Sequence, residues 1–224
     1  MKKPLFYLMA VVVALSVLFV ACDKDKGEKK EPPQDDKEGV VINGIRWATR
    51  NVDKPGTFAA NPEDAGMLYQ WNRKVGWSSA YPMINSDGGT EWIERGEAGD
   101  VWDLKNDPCP CGWRVPTRKE FESLATTGGG IWNEEGQRWE EAGSLEELNG
   151  ITGRFFGNGK QTIFLPAAGE RYYGNGTLNS VGTGHYWSSD TYMDYAYGLY
   201  FSDDYFYMYF PNRAIGMTIR CVAE

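Results

Sequence analysis

Asp107-Pro108-Cys109-Pro110-Cys111-Gly112-Trp113-Arg114-Val115-Pro116-Thr117 is the stretch on which the reading of this 224-residue chain turns. At its end Thr117-Arg118-Lys119-Glu120 forms a capping box, in which the hydroxyl accepts the amide at N3 while Glu120 reaches back. Phe121, Leu124 and Ala125 then recur at helical spacing, and Gly128-Gly129-Gly130 stops the helix as a turn. A second box, Ser144-Leu145-Glu146-Glu147, predicts a helix of barely more than one turn. At the other end, Cys109 and Cys111 flank only Pro110, too close for an unstrained bridge to each other.

Outward from this stretch the chain reads as short strands. Val40-Val41-Ile42 and Ile45-Arg46-Trp47 surround Asn43-Gly44, the strongest short hairpin signal, because a type I′ turn needs two positive φ angles. Gly66–Trp71, Thr162–Leu165, His185–Ser189, Tyr195–Phe201, Tyr205–Phe210 and Met217–Val222 are further strand candidates, with a turn at Gly174-Asn175-Gly176. Residues 72–106 read as long loops around short strands. The predicted class is α+β with β dominant.

The first residues are an address. Lys2 and Lys3 precede an apolar run from Leu5 to Ala21, and Cys22 follows at once. This is secretory-signal grammar, and Phe19-Val20-Ala21-Cys22 resembles a bacterial lipobox with Phe19 where Leu is usual. The resemblance implies a signal peptide over residues 1–21, lipidation of Cys22 and a hold on the membrane through the lipid alone. Cleavage would take the formal charge from −8 to −10, since only Lys2 and Lys3 are lost. Asp23 to Gly39 carries seven acids, five lysines and no hydrophobic residue, so residues 22–39 read as a solvated tether. Asp23 and Asp25 resemble the surface-export signals of Bacteroidetes lipoproteins. The expected location is the cell envelope, as an outer-membrane lipoprotein displayed at the surface.

The balance of 23 basic against 31 acidic residues argues against a nucleic-acid partner, which demands a basic footprint. The single histidine, His185, argues against His-dependent catalysis and multi-His metal sites, and its Gly-His-Tyr-Trp context reads as a packed residue. Nucleophile-elbow, P-loop, zincin and EF-hand patterns do not occur. Asp100, Asp103, Asn106 and Asp107 form an oxygen-rich run that solvated loop acids explain as well as calcium does. No catalytic residue, metal or cofactor is assigned, and the protein is not expected to be an enzyme. With Cys22 committed to lipid, Cys221 is expected to pair with Cys109 or Cys111, Cys109 being the preferred partner, and to leave one thiol over.

Four segments carry a family resemblance. They are Trp47–Val52, Gly66–Trp71, the Asp107–Thr117 stretch, and a C-terminal set: Leu165–Gly169, Tyr186–Ser189, Arg213 with Gly216, and Ile219–Val222. Their order and spacing over residues 40–224 resemble the Fibrobacter succinogenes major paralogous domain. The resemblance implies a C-type-lectin-like fold, with small antiparallel sheets, two short helices and long loops. No catalytic residues carry over, because the related oxidases need a late cysteine pair. The Glu-Pro-Asn and Gln-Pro-Asp calcium loops of sugar-binding lectins are absent.

Eight of the 13 tyrosines lie between His185 and the end. Tyrosine offers a large rigid face with a polar tip and few rotors to freeze. Tyr192, Tyr195, Tyr197, Tyr205, Tyr207 and Tyr209, with Asp203, Asp204 and Asn212, are therefore the candidate ligand-binding residues, and the partner is an unknown extracellular protein or glycan. The tail also resembles, in composition, the variable regions that retroelements diversify. The alternative reading is a structural or adhesive accessory subunit of a surface fibre or complex, and less favoured is an enzyme of unknown chemistry.

Overall fold

The computed structural model describes residues 38–127, 130–140 and 144–224. In chain order the strands are β1 Gly39–Ile42, β2 Ile45–Ala48, β3 Leu68–Tyr69, β4 Gly76–Trp77 and β5 Trp113–Arg114. The helix α1 covers Arg118–Thr127. After it come β6 Ile131–Asn133, β7 Arg138–Glu140, β8 Ser144–Leu148, β9 Ile151–Asn158 and β10 Gln161–Pro166. The last six are β11 Glu170–Arg171, β12 Leu178–Asn179, β13 Gly184–Tyr192, β14 Tyr195–Phe201, β15 Phe206–Tyr209 and β16 Val222–Ala223.

These strands form small antiparallel sheets. One sheet has the order β1-β2-β16-β5, so the first and last described strands share it. A three-stranded sheet runs β10-β9-β8, a five-stranded one β13-β14-β15-β7-β6, and β3-β4 and β11-β12 are two-stranded ribbons. The expected hairpin is present, with Ile42 opposite Ile45 and positive φ at both Asn43 and Gly44. Between residues 72 and 106 the chain is mostly loop, broken by β4 and a 3₁₀ turn at Leu104–Asn106.

Among the described residues α1 is the only α-helix, which corrects the α+β, C-type-lectin-like expectation with its two short helices: the fold is largely β. The segment opened by the second capping box is strand β8, not a helix. Its neighbours decide this. Leu148-Asn149-Gly150-Ile151 is an Asn-Gly hairpin turn, with φ of 50° and 80° at the two central residues, and it registers Leu148 on Ile151. The turn commits five residues of β8 to a ladder with β9, whereas the box offered a helix too short to hold alone. The first box does form: the Thr117 amide donates to Glu120 Oε2 at 2.7 Å and the Glu120 amide to Thr117 Oγ1 at 3.3 Å. Gly128 and Gly129 of the expected turn lie outside the described residues. So do residues 1–37, with Cys22 and most of the expected tether, whereas Gly39, read as its last residue, already pairs with Ala48.

Two apolar clusters fill the interior. One joins Phe121, Leu124 and Ala125 of α1 to Trp47, Phe156, Leu165, Tyr186, Leu199, Phe201 and Phe206. The other gathers Trp71, Trp102, Trp113, Trp187, Met217 and Ile219 around the Cys109–Cys221 disulfide. That bridge settles the pairing left open between Cys109 and Cys111 in favour of Cys109.

Buried arginines tie separate strands and loops together. Arg220 donates to Ala48 O, Phe164 O and Asn51 Oδ1. Arg171 donates to Ser78 O, Ala80 O and Gly176 O, and Arg213 to the carbonyls of Glu97, Gly99, Met193 and Tyr195. A guanidinium has five donors in a fixed fork, so one residue satisfies several carbonyls at once. Arg220 thereby joins β2 to β10, and Arg213 pins the loop at Gly99 to the β13–β14 turn.

Candidate functional site

The five-stranded sheet sorts the tyrosines by the two-residue alternation of its strands. Opposite pairs Tyr186–Leu199–Met208 and Phe201–Phe206 face α1 and the first apolar cluster. The pairs His185–Tyr200–Tyr207 and Trp187–Gly198–Tyr209 face the other way. Tyr195 and Tyr197 share a face with Leu199 but lie beyond the part of α1 that covers the core.

At that end the sheet, the start of α1 and the β6–β7 hairpin enclose an open cleft of about 320 Å³, lined by Arg118, Glu122, Trp132, Gln137, Trp139, Tyr192, Tyr197, Met208 and Phe210. Each wall follows from local structure. The hairpin sets Trp132 opposite Trp139, with ring centres 5.3 Å apart, and Trp139 pairs with Phe206 of β15. Phe210, just past β15, meets Tyr192 at 4.8 Å and Tyr197 at 6.5 Å. Tyr195 touches the same ring at 6.4 Å from outside the cleft. Trp132 and Tyr192 are 39% exposed, Tyr195 46% and Phe210 52%. Adjacent aromatic rings left this open form the kind of contiguous apolar patch that marks an interaction site.

The polar side of the cleft comes from α1. Arg118 Nε meets Glu122 Oε1 at 2.7 Å, one helical turn apart, and the guanidinium lies 4.6 Å over the Tyr197 ring. Partial burial opposes the Arg118 charge, but Glu122 and Tyr197 outweigh it and raise the pKa. The Arg118 amide donates to Asp190 Oδ2 at 2.6 Å, which ties the helix start to β13 next to its register irregularity. Behind it, burial disfavours the Glu120 carboxylate, yet Arg114 and the Thr117 amide together hold its pKa below the usual value.

The structure brings Tyr192, Tyr195 and Tyr197 together here and sends the remaining candidates elsewhere. Tyr209 points inward: its hydroxyl lies 2.8 Å from His185 Nδ1, and burial holds the phenol well above its usual range. Tyr207 packs at a tilt against Tyr200, with ring centres 4.9 Å apart, on that same opposite face. Tyr205 lies under the Arg138 guanidinium at 4.5 Å. Asp203 and Asp204 form the exposed β14–β15 turn, where Asp203 O accepts from Arg154. Asn212 lines a separate polar recess of about 370 Å³ with Glu97, Asp100, Asp194 and Arg213.

His185 is buried among polar groups. Thr183 donates its hydroxyl proton to Ser180 O, so its oxygen accepts from His185 Nε2 at 2.9 Å. That leaves Nδ1 to accept from Tyr209, with Glu170 Oε2 3.3 Å away. Burial lowers the imidazole pKa to about 4 and raises that of Glu170, so His185 is neutral at pH 7. Of the oxygen-rich run, Asp103 caps the 3₁₀ turn, and Asp107 accepts the amides of Cys109 and Val115. Among the described residues no three His, Cys, Asp or Glu side chains form a group that fits a metal.

Trp132, Trp139, Phe210, Arg118 and Glu122 were not among the expected site residues. One signal pointed to the tryptophans: they flank Asn133 to Arg138, whose centre, Glu134-Glu135-Gly136-Gln137, is a Gly-containing hairpin loop.

The fold and cleft define a largely β, disulfide-closed module with an aromatic recess at the end of its widest sheet. The model of the Fibrobacter succinogenes major domain matches residues 22–223, and the chain belongs to that family. No curated protein and no solved structure matches it.

Proposed function

We propose that this is a cell-envelope ligand-binding module, held to the membrane by a lipid on Cys22, that recognises a protein or glycan through the aromatic cleft. One observation carries the binding reading: exposed rings of Trp132, Tyr192 and Phe210 converge on a recess that also holds a charged pair. Apolar walls with a few convergent polar groups are the usual make-up of a ligand site. The lipid anchor and surface location rest on the sequence of residues 1–39, and the reading is one of recognition without chemistry.

The double variant Tyr192→Ala, Phe210→Ala tests the site. Capture of partners from envelope extracts and binding on a glycan array should both fall, with the unfolding midpoint little changed because both side chains are exposed. Undiminished binding by the variant would place recognition elsewhere. For the anchor, a signal-peptidase-II inhibitor should make the precursor accumulate, and normal processing in its presence would reject lipidation.

A further inference from the structure

We infer that the ligand of the aromatic cleft is a neutral sugar, one or two rings long, a deepening that rests on the binding reading above. Charge is the first ground. The cleft holds one cation and one anion, Arg118 and Glu122, locked to each other at 2.7 Å. The lining therefore sums to zero formal charge, with no surplus cation to select phosphate, sulfate or carboxylate and no surplus anion to select an amine.

Shape and chemistry supply the second. Sugar rings present flat patches of C–H bonds, and aromatic faces with an electron-rich quadrupole attract such polarised hydrogens. Trp132 and Trp139 pack on each other on the β6–β7 hairpin, and Tyr192 and Phe210 pack on each other at the ends of β13 and β15, so two aromatic clusters line the recess. Sugar edges carry hydroxyls that donate and accept at once. The helix offers a matching pair, because the ion pair uses Glu122 Oε1 and leaves Oε2 as the acceptor beside the Arg118 donors. The Gln137 side chain adds a further amide, already oriented by its Nε2 bond to Glu134 O.

Size is the third. At about 320 Å³ the cleft sits at the low end of ligand pockets, roughly 300–1,000 Å³, which suits a short saccharide and not a long one. Its open mouth lets a chain continue into solvent.

The test uses the full chain in detergent and follows intrinsic tryptophan fluorescence, with a Trp132→Phe, Trp139→Phe variant to identify the part that these two of the nine tryptophans contribute. Glucose, galactose, mannose and N-acetylglucosamine are titrated singly and as disaccharides, beside glucuronate and glucosamine as charged counterparts. A displayed peptide library is panned in parallel. The inference expects saturable quenching by at least one neutral sugar, weaker by about tenfold in Phe210→Ala and in Glu122→Gln. Near-UV circular dichroism shows that each variant keeps its fold. Equal or tighter binding of a charged sugar overturns neutrality. Peptide capture that depends on Tyr192 and Phe210, with no response to any sugar, overturns the sugar and leaves the cleft as the binding site. Silence from both sugars and peptides removes the sugar inference and the binding reading together.

Discussion

Cys109 and Cys221 are joined by a disulfide with their Cα atoms 6.1 Å apart, across 112 residues of sequence. The bridge links the Pro-rich loop before β5 to the residue just before β16, inside the second apolar cluster. Closing so long a loop removes much unfolded-state entropy, and loss of a native bridge typically costs about 2–5 kcal/mol. Cys221→Ser should therefore lower the urea midpoint markedly, and the wild type in reductant should lose stability too. A variant as stable as the oxidised wild type would show that the bridge is incidental.

Arg220 should be among the costliest side chains to remove. Burial lowers its pKa to about 10, against some help from Tyr186, so it remains charged at pH 7 while fully enclosed. Arg220→Met would leave Ala48 O, Phe164 O and Asn51 Oδ1 without their donor, a loss of roughly 3–5 kcal/mol. Arg220→Lys should rescue little, because one ammonium cannot reproduce the fork. Chemical denaturation of both variants checks this, and full rescue by lysine would reduce the role of Arg220 to charge alone.

Acid should act through His185. Its folded pKa, about 4, lies below the ordinary 6.5, so between these values the unfolded chain binds the extra proton. Stability is then fully present above pH 6.5 and falls as pH drops toward 4, by up to about 3 kcal/mol from this group. Glu170, whose pKa burial raises, contributes with the opposite sign: its part is present at low pH and lost as pH rises through the raised value. His185→Gln should flatten the acid limb of a stability–pH curve, and Glu170→Gln should steepen it. Curves that coincide with wild type would disconnect this cluster from acid unfolding.

Two glycines of the β9–β10 hairpin should respond very differently to alanine. At Gly157, with φ of 109°, an added Cβ would come within 1.9 Å of Gln161 O. At Gly159, with φ of 59°, nothing lies within 4 Å. Gly159→Ala should cost about 1 kcal/mol, the price of a left-handed alanine, and Gly157→Ala several times that. Thermal unfolding of the pair checks the ordering.

Local signals in the sequence fared best where a single feature decided the backbone. Asn43-Gly44 and Thr117–Glu120 were legible because each fixes its own turn or cap. Ser144–Glu147 misled because a capping box speaks only for itself, while Asn149-Gly150 recruited the same residues into a ladder. The site was half legible. Tyrosine density pointed to the sheet that borders the proposed cleft, but which face each ring takes depends on registers such as Gly198 on Tyr209, fixed only by pairing. Tyr209 thus turned to the opposite face, half-buried against His185. Arg118 and Glu122 joined the cleft from a helix that composition gave no reason to place beside it, and the two tryptophans from a hairpin whose docking on β15 only pairing fixes.

The covalent ring closed by Cys109 and Cys221 contains every residue of the cleft. A ligand pulling on Tyr197 against the chain's N-terminal side would load two arms in parallel: 88 residues back to Cys109, and 24 residues forward to Cys221 and across the bridge. The shorter arm sets the reach, roughly 80 Å fully drawn out against about 300 Å for the longer. Under tension the disulfide thus acts as a tether stop, capping how far the five-stranded sheet can be hauled from the fold's base before covalent bonds bear the load.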